Sequence, residues 1–202
     1  MRTVNGKEHW RVVLISYTKS HKTKVRGKIL KSASQAFRTN GIKEVSVPQI
    51  MKGAGLTHGG FYAHFESKDK LVAEACQYAI EETTAFLQKA ADQAPANQQI
   101  QTVIDNYLSK HHRNMPEEGC IIPTLSSEIS RSSQEVRQVF TEEIDGFFDF
   151  VSTLVREDKI KSIAIVSTMV GSLLLARSVD DPGLSDAILD AGKEYAKEIV
   201  SK

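Results

Sequence analysis

The chain has 202 residues and a mass of 22.4 kDa, which is enough to bury a hydrophobic core in one domain or in two small ones. Its composition, 41% hydrophobic and 25% charged, is ordinary for a soluble globular protein. The net charge of +1 hides an asymmetry, because residues 1–70 hold 14 of the 26 basic residues and only 4 of the 25 acidic ones. We therefore expect a basic module that binds a polyanion, joined to an acidic module that does not.

Cysteine spacing and hydropathy restrict the class of protein further. Cys76 and Cys120 lie far apart and in no metal-binding spacing, so the sequence predicts no disulfide framework, no metal site and no cofactor. Residues 12–15 are too short an apolar run for a secretion signal. The most apolar stretch, residues 163–176, is shorter than the roughly 20 residues that span a bilayer. These features predict a cytoplasmic protein without a membrane segment.

The first 66 residues predict an extension followed by three short helices. Residues 1–20 show no clear periodicity and are interpreted as an N-terminal extension, disordered or derived from an upstream start codon. Apolar residues between 25 and 37 share one helical face, and Gly41 ends that helix. Ser46 caps a second helix, which Gly53-Ala54-Gly55 ends, and a third follows from Leu56. Three short helices with a glycine-containing turn match a helix-turn-helix domain over residues 21–66.

The rest of the chain, residues 67–202, has helical periodicity throughout and no strand pair with a hairpin turn. We predict an all-α fold in which the N-terminal three-helix domain precedes a C-terminal bundle of about six helices. The predicted helices run from Ser67 to Ala94, over residues 100–111, from Gly119-Cys120 through Ile129, and over residues 136–155, 160–178 and 184–200.

The segment LTHGGFYAHFESKDK, residues 56–70, is the most informative part of the sequence. Gly59 and Gly60 lie in a short helix, where each costs about 1 kcal/mol relative to alanine. Lys68 and Lys70 follow in the first turn of the next helix, where cations oppose the helix dipole. Small residues, polar tips and cations at a helix N-terminus favour contact with a phosphate backbone, so the segment predicts DNA binding.

The residues from Ile29 to Leu71 resemble the TetR family of bacterial transcriptional regulators. The resemblance rests on Ser46-Val47-x-x-Ile50-x-x-x-Ala54-Gly55-Leu56 and on Gly59-x-Phe61-Tyr62-x-His64-Phe65-x-Ser67-Lys68-x-x-Leu71. Gly60 departs from the small hydroxyl residue that is common there in the family. The resemblance implies a TetR-like fold and a homodimeric regulator, most often a repressor. Such a regulator binds a double-stranded, pseudo-palindromic operator and answers to a small-molecule effector, and it is cytoplasmic and associated with the nucleoid through DNA.

Within this domain the predicted DNA contacts divide by role. Tyr62, His64 and Lys68 are expected to contact phosphates, whereas Phe61 and Phe65 are expected in the core. Thr57 and His58, at the start of the recognition helix, are expected to face the bases, and Gly59 follows them in the same surface. Gln49 is expected to contact a base or the DNA backbone, and Ser46 is expected to cap its helix and to contact a phosphate in addition. Thr57 has a plainer alternative as a helix cap, and the basic residues Lys22, Lys24, Arg26 and Lys28 are expected to add non-specific phosphate affinity.

For the C-terminal domain, Gly119-Cys120-x-x-x-x-Leu125-x-x-Glu128 resembles TetR regulators that respond to electrophiles or hydrophobic xenobiotics. Cys120 at a helix start would have a thiolate stabilised by the helix dipole, and the alternative is a small buried core cysteine. Six residues are predicted either to line an effector cavity or simply to pack in the core, namely Tyr78, Phe86, Tyr107, His111, Phe140 and Phe147.

The helices near 160–178 and 184–200 are predicted to form a four-helix dimer interface, because each has an apolar face. These faces comprise Ile163, Val166, Val170, Leu174, Leu184, Ile188, Ala191 and Tyr195. We expect no enzyme. Two other classes stay open, a helical protein-interaction module without DNA binding and a hydrolase that pairs Cys120 with His111 or His112.

Overall fold

The computed structural model describes the backbone of residues 6–201 and the side chains of residues 21–201. Every regular element among these residues is helical, which confirms the predicted all-α fold. The described α-helices are α1 (Gly6–Glu44), α2 (Val47–Gly53), α3 (Lys68–Asp92), α4 (Gln99–Tyr107), α5 (Lys110–Asn114), α6 (Ile122–Ile129), α7 (Gln134–Thr153), α8 (Lys159–Ser178) and α9 (Pro182–Ser201). Three 3₁₀ helices complete the chain, at His58–Ala63, Ala96–Gln98 and Pro116–Glu118.

Helix α1 begins at Gly6, well before the predicted start at Lys22. Of the predicted extension, residues 1–5 lie outside the described residues, and residues 6–20 are described only as backbone of α1. The backbone leaves helical geometry at Gly41, whose φ of 79° is a conformation that L side chains rarely adopt. The helix end predicted at this glycine is therefore confirmed.

The next two elements form the helix-turn-helix. Helix α2 buries Ile50 and Met51, and the turn after it passes through Gly55 with a φ of 72°. The recognition element is a six-residue 3₁₀ helix, His58–Ala63, and not the α-helix that the sequence predicts. Two adjacent glycines and a length of under two turns give little α-helical propensity, which favours the tighter 3₁₀ form.

The C-terminal helices are built around α3, which packs against α1, α4 and α7. Two predicted boundaries are wrong. The helix expected over residues 100–111 is divided, because α4 ends at Tyr107 and the Ser109 hydroxyl caps α5 by accepting from the His112 amide at 3.1 Å. The helix expected to open at Gly119-Cys120 begins instead at Ile122, after a 3₁₀ turn.

Helices α8 and α9 pack against each other at the C-terminal end of the fold. By length and composition α8 could cross a membrane, but a single such helix is weak evidence, and 33% of its apolar window is buried in the protein. The outward face of the pair carries exposed apolar side chains. Val166, predicted on this face, is instead buried in the core of the protomer. The exposed large apolar residues are Ile160, Ile163, Leu174, Leu175, Leu184 and Tyr195.

Candidate functional site

The surface formed by the recognition element is polar and exposed. Thr57 and His58 are both exposed, and Tyr62 has 74% of its surface accessible. The ring of Tyr62 meets the edge of Phe61 at 5.1 Å, while Phe61 and Phe65 are buried and stack at 5.7 Å between centroids. The predicted division into core phenylalanines and a surface tyrosine is confirmed.

The two polar residues that start α2 are paired with each other. Ser46 Oγ accepts from the Gln49 amide at 3.4 Å, and Gln49 Oε1 accepts from the Ser46 amide at 2.7 Å. This reciprocal capping box satisfies backbone donors at the helix start. The cap predicted for Ser46 is thus confirmed. Thr57 precedes the 3₁₀ helix, but its side chain makes no cap hydrogen bond. The alternative that Thr57 serves as a helix cap is therefore wrong.

Gly59 and Gly60 are not required by the packing of the protein. Neither has a positive φ, a Cβ on Gly59 would meet nothing within 4 Å, and a Cβ on Gly60 would make only an ordinary contact with Met51 at 3.7 Å. The two glycines therefore lower the helical propensity of this segment, although the surface has space for larger side chains. A partner that approaches the backbone closely would explain their presence.

The cations next to this surface are partly used inside the protein. Lys68 Nζ donates to the Ile42 carbonyl at 2.9 Å, and Lys70 Nζ lies 3.2 Å from Glu135 of α7. Both lysines at the start of α3 therefore have partners that offset the dipole cost inferred from sequence. An ammonium has three donors, so the phosphate contact of Lys68 stays a prediction.

The basic residues of α1 differ in their availability. Arg26 pairs with Glu74, donates to the His64 carbonyl and stacks on the Phe65 ring at 4.1 Å from the centroid. These contacts make it a structural residue, which argues against the phosphate role expected of it. By contrast, Lys22, Lys24 and Lys28 are exposed.

His64 is half-buried behind Tyr62, and its Nδ1 is buried without a partner among the described residues. Burial lowers the pKa of its imidazole, and the nearby charges of Lys22, Arg26 and His21 lower it further. The ring is therefore neutral near pH 7, so a phosphate contact from it would be an uncharged hydrogen bond.

Glu128 of α6 connects the C-terminal bundle to the helix-turn-helix. Its carboxylate accepts from the Ile42 amide at 3.1 and 3.2 Å and from the Lys43 amide at 3.1 Å. A Cβ at Gly41 would come within 2.4 Å of Glu128 Oε1. Sequence reasoning assigned Glu128 no role, although the carboxylate stood in the motif that begins at Gly119.

A cavity of about 500 Å³ lies where α1 meets α3, α4, α5 and the loop before α6. Of the six predicted cavity residues, Phe86, Tyr107 and His111 line it, whereas Tyr78, Phe140 and Phe147 do not. The lining residues are Lys31, Gln35, Arg38, Glu82, Thr83, Phe86, Leu87, Asn106, Tyr107, Ser109, His111, His112, Met115, Glu117, Glu118, Gly119 and Cys120.

Cys120 lies at the buried end of this cavity. Its side chain is 1% exposed, and burial raises the pKa of its thiol. The thiolate expected at a helix start is therefore wrong: burial raises the pKa by more than the hydrogen bonds from the Tyr107 side chain and the Ile122 backbone lower it. The alternative of a small buried cysteine fits the structure. Cys76 is buried too, and burial raises its pKa to about 12.

His112 positions the loop that carries Cys120. Its Nδ1 lies 2.6 Å from the Tyr107 carbonyl, and its Nε2 accepts from the Cys120 amide at 2.8 Å. Burial lowers the pKa of His112 to about 4, so the ring is neutral and its proton is on Nδ1. Because Nε2 is occupied by a backbone N–H, it does not serve as a base for the thiol. This geometry opposes the hydrolase alternative.

Among residues 21–201 no group of three or more His, Cys, Asp or Glu side chains is arranged to hold a metal ion.

Comparison with known proteins locates the chain in a family. Residues 29–75 match the family described as bacterial regulatory proteins, tetR family. The uncharacterized HTH-type transcriptional regulator YerO of Bacillus subtilis is 25% identical over 114 residues, which cover 56% of this chain and 39% of YerO. The HTH-type transcriptional repressor DhaR of a Mycobacterium species is 28% identical over 118 residues, 57% of this chain and 58% of DhaR. The match therefore spans less than two thirds of either relative.

The fold agrees with this result over most of the chain. The TetR-family transcriptional regulator from Cytophaga hutchinsonii superposes with a TM-score of 0.78 at 16% identity, covering 90% of this chain and 95% of that one. At such identity the superposition shows the shared fold alone. Together, the match of the helix-turn-helix, the regulators related to it and the shared fold support a TetR family transcriptional regulator.

Proposed function

We propose that the protein is a DNA-binding transcriptional repressor that leaves its operator when a small molecule binds the C-terminal bundle. The observation that carries the proposal is the exposed surface of Thr57, His58 and Tyr62 around Gly59, where the protein leaves open space beside a rigid, capped α2. An exposed polar surface with open space beside its backbone can come close to the bases and phosphates of a DNA groove.

Each proposed DNA contact keeps the role inferred from the sequence, and the exposure and hydrogen bonds of each residue support that role. Thr57 and His58 carry base reading, because both side chains are exposed and free of cap bonds. Tyr62 and Lys68 contact phosphates, and Gly59 allows the close approach. The remaining proposed contacts are Ser46 and Gln49, whose capping box leaves both residues exposed, and His64 as a neutral donor.

We propose that two copies pair through the apolar outward face of α8 and α9. Eight large apolar side chains among the described residues are 40–82% exposed in one copy, and all of them except those of Tyr62 and Phe86 lie on these two helices. A two-fold dimer sets two recognition elements about 34–36 Å apart, which matches successive major grooves of a pseudo-palindromic operator. A monomer in sedimentation at micromolar concentration would contradict this part.

The route from effector to DNA runs through α6. Cys120 lines the cavity, α6 begins two residues later at Ile122, and Glu128 near the end of α6 holds the backbone at Ile42, just after the break in α1 at Gly41. An effector that binds better to a shifted position of α6 would move this turn and change the spacing of the two recognition elements. It lowers operator affinity by its differential affinity for the two states.

In this proposal Cys120 acts as an effector-sensing residue by lining the cavity, where an electrophile can reach its thiol only after entry. A quinone should release DNA from the wild type. Equal release of DNA from Cys120→Ser would show that the thiol is not needed for the response. It would not contradict effector binding in the cavity.

Selection of duplexes from genomic fragments tests the function directly. The full chain should enrich a pseudo-palindromic sequence, and enrichment should fall when candidate effectors are added. Failure to retain any duplex at low salt would favour the alternative of a helical protein-interaction module.

A further inference from the structure

The cavity beside α1 contains buried hydrogen-bond donors that the described residues leave unpaired or weakly paired. Tyr107 lines it with 1% of its surface exposed, and its hydroxyl has only the Cys120 thiol, a weak acceptor, beside it and no hydrogen bond of good geometry among the described residues. Arg38, 2% exposed, also lines it, and its Nε is likewise buried without a partner there. Leaving such groups unpaired costs free energy, so a bound molecule with an acceptor atom would relieve the cost.

The hydrogen-bonding side chains beside Tyr107, those of Cys120 and His112, are neutral at physiological pH. Burial holds the pKa of the Tyr107 phenol well above its ordinary range, so the hydroxyl keeps its proton and donates. Cys120 beside it is a neutral thiol, because burial raises its pKa, and His112 is a neutral ring. Arg38 is balanced by Glu82 at 3.1 Å.

The charges at the two ends of the cavity discriminate against both kinds of ion. Glu117 and Glu118 line the cavity together with a single exposed lysine, Lys31, which disfavours an anion at the mouth. The guanidinium groups of Arg38 and Arg177 act on Cys120 at the buried end, which disfavours a cation there. The apolar part of the wall comes from Phe86, Leu87, Tyr107, Met115 and Cys120.

We propose that this cavity binds an uncharged, mainly aromatic or aliphatic compound whose carbonyl oxygen accepts a hydrogen bond from the Tyr107 hydroxyl. The volume of about 500 Å³ is within the range of small-molecule sites. The claim that this cavity is the effector site rests on the proposed function. The claim that the cavity binds such a compound does not, because binding is measured without DNA. The compound would touch α1 of the DNA-binding domain through Lys31, Gln35 and Arg38 as well as the effector bundle.

Calorimetric titration of the full chain with three matched probes tests the proposal. Benzophenone carries the carbonyl, diphenylmethane has the same two rings without it, and 4-benzoylbenzoate adds a negative charge. We expect benzophenone to bind about tenfold more tightly than either of the other two probes, because it alone is both an acceptor and uncharged. Equal affinity for benzophenone and diphenylmethane, tighter binding of the benzoate, or no binding of benzophenone would each overturn the proposal.

A variant pair locates the hydrogen bond. Tyr107→Phe should reduce benzophenone affinity about tenfold and leave diphenylmethane affinity unchanged, while Thr141→Val, which removes a hydroxyl on the exposed side of α7, should bind both probes as the wild type does. The carbonyl stretch of bound benzophenone should lie at lower frequency in the wild type than in Tyr107→Phe. If Tyr107→Phe does not fold, the wild-type stretch decides alone, since a value equal to that in alkane solvent would overturn the assignment.

DNA release is measured separately. Benzophenone binding without release would retain the ligand site and contradict its effector role, whereas a failure of all DNA binding would contradict the proposed function and leave the ligand assignment standing.

Discussion

The carboxylate of Glu128 accepts hydrogen bonds from the amide of Ile42, so helix α6 of the C-terminal bundle holds the turn that leads from Gly41 into the helix-turn-helix. On its other side the Ile42 carbonyl accepts from Lys68 at the start of α3. The peptide unit between Gly41 and Ile42 is thus bound to α6, and the next one, between Ile42 and Lys43, is bound to both α6 and α3. A shift of α6 relative to α3 changes the position of the turn.

Replacing Glu128 should destabilise the fold and weaken the response to effector. Glu128→Ala removes the acceptor of the Ile42 and Lys43 amides, and hydrogen bonds to a charged group contribute about 1.5–3 kcal/mol. We expect a loss of this size in the free energy of urea unfolding. Glu142→Ala on the exposed face of α7 serves as the control, and an equal loss in both variants would contradict the role of Glu128.

Adding a methyl group to Gly59 should weaken DNA binding without weakening the fold. A Cβ at this position meets no protein atom within 4 Å, so Gly59→Ala should unfold at the same or slightly higher urea concentration. Operator affinity should fall at least tenfold because the methyl group holds the backbone away from DNA.

Gly55→Ala provides the opposite pattern. Its φ of 72° is strained for alanine, so the unfolding free energy should drop by about 1–2 kcal/mol. Unchanged operator affinity in Gly59→Ala would show that this surface is not the one that meets DNA.

Removing the ammonium of Lys68 should lower operator affinity and its dependence on salt. If Lys68 contacts one phosphate, the slope of log K against log salt should decrease by about 0.9 in Lys68→Ala. Lys70→Ala removes a cation that is paired with Glu135 and should leave the slope unchanged. Glu128→Ala disturbs the same turn without removing a cation, so it separates the loss of charge from the loss of the Ile42 contact.

Acid should destabilise the protein through His112. Its pKa is about 4 in the fold and near 6.5 in an unfolded chain, so its contribution is present above pH 6.5 and is lost as the pH falls toward 4. Between pH 7.5 and pH 5 the loss should be roughly 2 kcal/mol in urea unfolding.

His112→Gln keeps an acceptor for the Cys120 amide and cannot titrate in this range. It should show a smaller loss than the wild type over the same interval, and an identical loss would assign the acid sensitivity to other groups.

The sequence predicted the features that local periodicity and capping determine. The helix end at Gly41, the cap at Ser46 and the buried Phe61 and Phe65 each depend on residues close in the chain, and all four are as predicted. The TetR-like fold followed from the motif between Ser46 and Leu71.

Features that depend on contacts between distant helices could not be predicted in this way. Lys68 was assigned a dipole conflict, but the Ile42 carbonyl, 26 residues away, accepts from it. Cys120 was assigned a low pKa from its place near a helix start, whereas burial among distant helices raises it. The role of Glu128 depends on a partner 86 residues away, which no local pattern reveals.

The central claim is sequence-specific DNA binding through the surface around Gly59. The most direct measurement is a titration of the full chain against a duplex selected from genomic fragments and against a scrambled duplex, over a range of salt concentrations. The account predicts a preference of about 10³ or more for the selected duplex and an affinity that falls steeply as salt increases. Equal affinity for both duplexes, or no binding at low salt, would contradict it.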